Sequence, residues 1–181
     1  GVVYAMPQLT YAATATETLI CSAADLQAFI AAANGGDFSA YVSADGQVKL
    51  GADIDLAGVV LDQIVSWPAE AVLNGQGFAL KNWTTADALV LENYGTVKNI
   101  VVDKSCNIAY NLNAGNKVHG ILVGANLGTV SGCTNNADII YSASGSGENV
   151  CVAGICGRLM TSSGEGVANC TNNGDVICAA V

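Results

Sequence analysis

The clearest hydrophobic periodicity in the chain follows Ser22. Four apolar residues recur at the spacing of one helix face: Leu26, Phe29, Ile30 and Ala33. The stretch from Ser22 to Asp25 has the pattern of a capping box with Asp in the Glu position, and Asn34-Gly35-Gly36 supplies residues that end helices. This pattern predicts a helix over about residues 23–34.

From Tyr41 onward the pattern changes to short apolar runs separated by Gly, Asn and Asp. Runs of this length between turn residues are typical of β-strands. In the second half of the chain they predict strands near 88–92, 97–102, 118–124, 129–133, 138–142, 150–156, 167–170 and 175–180.

Two stretches of this region occur in near copies. Cys133–Ile139 returns as Cys170–Val176, at an offset of 37 residues, with Gly for Ala and Val for Ile as the only changes. Ala88–Val97 similarly resembles Ile121–Val130, at an offset of 33 residues. A recurring unit of this length predicts stacked repeats.

The repeats favour a parallel coil of β-strands over a β-sandwich. Equivalent residues of a coil lie directly above one another, whereas antiparallel neighbours in a sandwich have no reason to repeat their turn residues. Cys133 is therefore expected over Cys170, and Asn135 over Asn172. A corner is expected at Gly132, where the neighbouring copies have Asn99 and Asn169.

We predict a single domain over residues 1–181. It consists of an extended lead-in at 1–20, a capping helix at 22–35 and β-coils at 41–181. The sequence stops on an apolar strand with no second cap. We therefore expect either that the chain is part of a longer protein or that this end associates with another copy.

Composition excludes several classes of function. Apolar residues make up 51% of the chain and charged residues 12%, which excludes a disordered protein. The net charge of −9 disfavours nucleic acid and anionic membranes as partners. The apolar runs are too short for membrane insertion as a helix.

Candidate chemistry is sparse. Asp53 and Asp55 are weak candidates for calcium ligands, although turn capping is the favoured role, and no metal or cofactor is expected. Asp138 and Asp175 share a register and form either a carboxylate dyad or a pair of turn residues. We expect His119, the only histidine, to face solvent or to lie at a strand edge.

The seven cysteines lack the spacing of a structural zinc site. For Cys133 and Cys170 we weigh a ladder of core thiols against a disulfide between stacked strands. Aromatic rings are the one binding feature of the sequence, provided that they are exposed. The candidates are Trp67, Trp83, Tyr94, Tyr110 and Tyr141.

Four segments taken together resemble a known family. They are Ser22–Phe29, Gly51–Leu56, Leu73–Trp83 and Asn93–Ile100, in this order along the chain. The order is similar to that of bacterial cell-surface proteins with a right-handed parallel β-helix of the pectin-lyase-like type. Many of these carry Gly-Leu-Gly-type (GLUG) repeats and are adhesin-like proteins of gut Bacteroidetes.

The resemblance covers about residues 20–181 and implies the fold and its N-terminal helical cap, but it supplies no catalytic residue. Trp67-Pro68 lacks the Ile-Gly that often follows in the family, and Asn74 replaces an Asp. A cation bound at that turn is therefore not carried over.

From these observations we predict an all-β protein, a right-handed parallel β-helix with an N-terminal α-helical cap, secreted or displayed on a bacterial surface. The predicted function is a non-catalytic adhesin-like or glycan-binding module, with a surface glycan or another host or bacterial surface ligand as partner. A polysaccharide lyase or hydrolase is the first alternative, because many β-helices are such enzymes. A structural stalk is the second.

Overall fold

The computed structural model of the protein describes residues 17–111, 118–142, 151–161 and 166–179. Within these ranges the chain forms one α-helix, a short 3-10 turn at Ser39–Tyr41, and twenty short strands. The strands are β1 Gln47–Lys49, β2 Ile54–Asp55, β3 Ile64–Trp67, β4 Val72–Asn74, β5 Ala79–Lys81, β6 Thr84–Thr85, β7 Val90–Asn93, β8 Thr96–Lys98, β9 Val101–Val102, β10 Asn107–Asn111, β11 Val118–Gly120, β12 Val123–Asn126, β13 Thr129–Ser131, β14 Thr134–Asn135, β15 Ile139–Ser142, β16 Cys151–Ala153, β17 Cys156–Leu159, β18 Val167–Ala168, β19 Thr171–Asn172 and β20 Val176–Cys178.

Helix α1 spans Ala23–Asn34, as the hydrophobic period predicts. The Ser22 hydroxyl accepts a hydrogen bond from the Asp25 N–H at 3.1 Å, and the Asp25 carboxylate accepts one from the Cys21 N–H at 3.0 Å. The apolar face of the helix is buried through Leu26, Phe29 and Ile30. The Phe29 ring lies 5.7 Å from the ring of Trp67, so α1 packs against β3 through aromatic contacts.

The strands form parallel sheets in which the strand order follows the chain. Sheet I contains β1, β4, β8, β13 and β18, and sheet II contains β2, β5, β9, β14 and β19. Sheet III contains β6, β10, β15 and β20, sheet IV contains β3, β7, β12 and β17, and β11 pairs with β16 alone. The chain thus leaves each sheet and returns to it beside the strand that it formed there before.

Residues that lie directly opposite one another in successive strands of a sheet form what we call a column. One column of sheet I contains Val48, Leu73, Val97, Val130 and Val167. The pairing of β14 with β19 places Asn135 opposite Asn172, as the repeat predicts. The fold is therefore all-β apart from α1, and its repeated parallel strands fit a solenoid-like architecture.

The predicted corner between neighbouring strands is confirmed. Gly132 has a φ of 62°, and Asn99 and Asn169 in the equivalent positions have φ of 55° and 53°. This left-handed backbone suits Gly and Asn better than other residues. Each corner separates a strand of sheet I from the next strand of sheet II. The predicted strand 97–102 is therefore divided into β8 and β9, and the predicted strand 129–133 ends at Ser131, before the corner.

The predicted strands 118–124 and 150–156 are also divided, into β11 and β12 and into β16 and β17. A side-chain carbon added at Gly120 would lie 2.5 Å from the carbonyl oxygen of Val123 and 2.5 Å from the N–H nitrogen of Gly157. The chain therefore turns tightly after Gly120, which an uninterrupted apolar run does not reveal.

The predicted lead-in is described only from residue 17, and its residues 1–16 lie outside the described ranges. Residue 150 of the predicted strand 150–156 and residue 180 of the predicted strand 175–180 also lie outside them. Ile20 forms a parallel bridge with Leu50 beside β1. No helix in the described ranges is long and apolar enough to cross a lipid bilayer.

Candidate functional site

Three of the five aromatic candidates are part of the core. Trp67 and Trp83 are buried, and the Trp67 indole N–H donates to the carbonyl oxygens of Ala71 at 3.1 Å and Thr96 at 3.2 Å. Tyr110 is also buried, and its hydroxyl donates to the Gly120 carbonyl at 3.0 Å. These three rings fill the interior and offer no stacking face to a ligand.

His119 differs from the expectation that it faces solvent. It is buried, and its imidazole ring stacks on the Tyr110 ring at a centroid distance of 4.2 Å and an angle of 21°. The backbone of His119 lies so close to Gly157 that a side-chain carbon there would be 2.7 Å from it. A single sequence does not show this close approach. Burial raises the pKa of Tyr110.

Tyr94 is the most accessible of the five candidates. Its side chain is 43% exposed, and its hydroxyl donates to Glu92 Oε2 at 3.2 Å. The neighbouring Glu92 charge raises the pKa of the Tyr94 hydroxyl. The last candidate, Tyr141, is half-buried, and a hydrogen bond with Cys178 raises its pKa.

A polar strip runs beside Tyr94 on the outer face of sheet IV. The pairing of β3, β7, β12 and β17 places Ser66, Glu92, Ala125 and Arg158 in one column. Both Glu92 and Arg158 are exposed. The Glu92 carboxylate on β7 and the Arg158 guanidinium on β17 therefore lie in one column with β12 between them, and the Tyr94 ring directly follows β7.

The conformation of Tyr94 depends on the glycine that follows it. A side-chain carbon at Gly95 would lie 2.4 Å from the carbonyl oxygens of both Pro68 and Ala71, so only Gly fits. Asn93, immediately before Tyr94, is fully buried, and its side-chain amide donates to Asn126 Oδ1 at 2.8 Å. Buried amide hydrogen bonds and close backbone packing thus fix both neighbours of the exposed ring.

The hydrogen-bonded side chains of Asn93 and Asn126, which we call the Asn ladder, were not predicted from the sequence. Asn126 is fully buried and donates to the carbonyl oxygens of Gly128 at 3.1 Å and Gly166 at 2.6 Å. The signal was present in the repeat, because Asn93-Tyr94-Gly95 and Asn126-Leu127-Gly128 occupy equivalent positions. A buried Asn needs such partners, and successive strands provide them.

The acidic candidates bind groups of the protein itself. Asp53 accepts a hydrogen bond from the Ala79 N–H at 2.8 Å and pairs with the Lys81 ammonium at 2.8 Å. Asp55 accepts from the Ala57 N–H at 3.0 Å and from the Asn82 side chain at 2.9 Å. Hydrogen bonds from Lys81 and Asn82 hold the pKa values of Asp53 and Asp55, respectively, below the usual range. Lys81 thus supplies the positive charge next to Asp53.

The possible carboxylate dyad, Asp138 and Asp175, also binds a group of the protein itself. Asp138 Oδ1 accepts a hydrogen bond from the backbone N–H of Asp175 at 2.9 Å, and both residues are exposed. This contact links two turns and is the structural alternative weighed at the sequence level. Across the described ranges, no group of three or more His, Cys, Asp or Glu side chains is arranged to hold a metal ion.

The cysteines are free thiols, which resolves the two alternatives for Cys133 and Cys170 in favour of a ladder. Cys133 is fully buried and its thiol contacts the Ser131 carbonyl at 3.5 Å, while Cys170 makes the equivalent contact with Ala168 at 3.4 Å. Burial raises the pKa of Cys133 to about 12, so this thiol is unreactive at neutral pH.

Comparisons with known proteins leave the family open. Neither a family model, nor a curated protein, nor a solved structure matches this chain.

Proposed function

We propose that the protein is a non-catalytic adhesin-like module, built as a right-handed parallel β-helix with an N-terminal cap, that binds carbohydrate at a bacterial surface. Sheets I to IV are the sides of one coil in this proposal, because each strand returns in register beside its predecessor. The surface location follows from the resemblance to cell-surface β-helix proteins. Secretion and display place the module where glycans of cells or matrices are accessible.

The observation that carries this proposal is the exposed Tyr94 ring beside Glu92. An accessible aromatic face packs against the C–H groups of a sugar ring, and an adjacent carboxylate accepts hydrogen bonds from its hydroxyls. Arg158 in the same column adds a donor for a carboxylated or sulfated sugar, although the net charge of −9 disfavours a highly charged polymer. The proposed ligand is therefore a neutral or weakly acidic glycan.

The side chains with catalytic potential support a non-catalytic role. Asp53 and Asp55 are engaged by Lys81 and Asn82, and Asp138 caps a neighbouring turn. A glycosidase needs two carboxylates that face each other across a scissile bond. In these three residues the carboxylate oxygens instead organise the backbone and surface of adjacent strands.

A glycan array read with the wild-type chain and the Tyr94→Ala variant tests the proposal. Removal of the ring is expected to weaken binding by up to about tenfold, since stacking contacts of this kind contribute about 0.5–1.5 kcal/mol. Tyr94→Phe retains the ring and is expected to keep most of the affinity. Val65→Ala, at an exposed apolar position on β3, is the matched control and leaves binding unchanged.

Binding that survives Tyr94→Ala contradicts the proposed site. Shortening of the bound polysaccharide during incubation contradicts the non-catalytic role and favours the lyase or hydrolase. Absence of binding to any glycan favours the stalk, whose rigidity the buried Asn ladder and in-register columns support.

A further inference from the structure

The exposed Tyr94 ring belongs to a row of side chains at one corner of the molecule. The last residues of β3, β7 and β12 lie opposite one another in sheet IV. The register continues beyond these strands, since the Tyr94 N–H donates to the Trp67 carbonyl at 2.9 Å. The Leu127 N–H donates in the same way to the Asn93 carbonyl at 2.8 Å. Pro68, Tyr94 and Leu127 therefore follow one another in a row, which we call the corner ridge.

The corner ridge is accessible and its steps are equal. Pro68 and Tyr94 are exposed, and Leu127 is half-buried. A side-chain carbon added at Gly128 would clash with the carbonyl oxygen of Gly95, so the backbones after Tyr94 and Leu127 pack directly on each other. Because neighbouring strands lie about 4.8 Å apart, successive members of the ridge are separated by about this distance.

A polar column runs beside the corner ridge. Ser66, Glu92 and Ala125 lie opposite one another, two residues before the three members of the ridge. Ser66 and Glu92 are exposed, and the Tyr94 hydroxyl reaches Glu92 at 3.2 Å. The ridge and the column thus form one elongated surface with an apolar side and a hydrogen-bonding side. Its long axis runs across the strands.

We propose that this surface binds a linear, neutral polysaccharide with equatorial linkages, whose extended chain lies across the strands of sheet IV. This inference rests on the glycan-binding role proposed above and assigns the class and direction of the glycan. In an extended chain of this class, one pyranose ring advances by a length similar to the spacing of two strands. Successive rings therefore meet Pro68, Tyr94 and Leu127 in turn, while their hydroxyls face Ser66 and Glu92.

The shape and charge of the surface disfavour other glycans. A chain with axial linkages curves, and it leaves a straight row of contacts after one or two sugars. Glu92 carries the only charge among the six side chains of the ridge and the column, and the net charge of the chain is −9, so a polyanionic glycan is repelled. A neutral, hydroxyl-rich chain uses the Glu92 carboxylate as a hydrogen-bond acceptor.

The row of contacts predicts that affinity depends on the length of the oligosaccharide. Tyr94 supplies the aromatic face and is contacted by every bound oligosaccharide, whereas Pro68 and Leu127 are reached only by sugars on either side of it. Affinity is therefore expected to rise about threefold or more from the disaccharide to the tetrasaccharide, and to change little for longer chains.

Isothermal titration calorimetry with defined oligosaccharides tests this inference. The probes are cello-, manno- and chito-oligosaccharides, from the disaccharide to the hexasaccharide. Malto-oligosaccharides of the same lengths are the control, because their axial linkages give a curved chain. Binding of at least one extended series is expected, with the stated dependence on length and with weaker binding of the malto-oligosaccharides.

Variants of the ridge separate its members. Leu127→Ala is expected to weaken binding of the tetrasaccharide about threefold and to leave the disaccharide unchanged, whereas Tyr94→Ala weakens both. Pro68→Ala, at an exposed position, gives a second test of the same expectation should Leu127→Ala disturb the fold, which circular dichroism checks. Val65→Ala, on β3 but outside the ridge, is the matched control and is expected to have no effect.

The outcomes distinguish this inference from the glycan-binding role itself. Equal affinity for the disaccharide and the tetrasaccharide, or equal binding of malto-oligosaccharides, overturns the extended site while the Tyr94 site stands. Failure of all the extended series to bind, with array binding that still depends on Tyr94, also overturns it alone. Glycan binding that is unaffected by Tyr94→Ala overturns both.

Discussion

The first and last strands of sheet I carry similar apolar residues in the same column, but these residues differ in their exposure. At the N-terminal end, Val48 is buried and forms an antiparallel bridge with Val42, and Ile20 pairs with Leu50 two residues further on. At the C-terminal end, Val167 occupies the same column and is exposed. Burial in this fold is thus a property of the neighbouring strand, not of the residue alone.

Equivalent residues in successive repeats also differ in burial, and this decides whether a residue is part of the core or of the surface. Cys133 is an unreactive core thiol, while Cys170, its equivalent one strand later, is only partly buried. Asn135 is a fully buried ladder amide, while Asn172 is exposed. A repeated motif in such a protein therefore identifies a structural position, and its depth in the stack decides what that position does.

The largest expected effect contrasts two leucines. Leu73→Ala leaves a cavity in the sheet I column and is expected to lower the free energy of unfolding by about 2–5 kcal/mol. Leu159→Ala, at a position 55% exposed on the last strand of sheet IV, is expected to change it by less than about 0.5 kcal/mol.

Urea denaturation measures the free energy of unfolding of both variants. Equal losses from the two substitutions would contradict the contrast, because they would mean that Leu159 is covered within a single copy.

A smaller effect is expected in the Asn ladder. Asn126→Ala removes one of three acceptors of the Asn93 amide and one of two donors to the Gly166 carbonyl at a fully buried position, which is expected to cost about 1–3 kcal/mol. Asn172→Ala is the control on the last strand of sheet II. Asn172 is exposed, and the Asn135 amide that donates to it also donates to the Ala137 carbonyl, so the expected cost is less than about 1 kcal/mol. Thermal unfolding with matched buffers ranks the two variants, and a larger loss for Asn172→Ala would refute the dependence on depth.

The smallest effect concerns the contact between α1 and the edge of β3. Asn34→Ala removes two hydrogen bonds to the edge of β3 and is expected to lower stability by about 1–2 kcal/mol. Gln27→Ala, on the same helix, removes one long contact of 3.4 Å to the Val60 carbonyl and serves as the control. Hydrogen exchange at the Val65 N–H should accelerate in Asn34→Ala alone. Unchanged exchange would mean that Asn34 does not protect this edge.

Much of the fold was accessible from periodicity and repeats. The capping box and the spacing of Leu26, Phe29 and Ile30 predicted α1 with its bounds, because helix caps and faces are local features. The copies at Cys133 and Cys170 predicted which strands stack in register. The division of 118–124 into two strands was not accessible, since it depends on the close approach of Gly120 to Gly157 across the stack.

The candidate site was accessible only in part. Nothing in the sequence shows which of the five aromatic candidates is exposed. In the structure, Tyr94 is the accessible ring beside a carboxylate. Trp67 is held inside by Phe29 and by two backbone carbonyls, that of Ala71 four residues further on and that of Thr96 on β8. No local pattern distinguishes an indole that fills a core from one that faces water.

The sequence by itself determined the repeat, the position of the helix and the residues that form columns, because each is encoded in local spacing and in identity between copies. Only the tertiary structure decided which members of a column are buried, which are exposed, and which acidic residues are engaged by Lys81 or a turn. The physical reason is that solvent exclusion depends on what packs above and below a strand, and those neighbours lie tens of residues away in the chain.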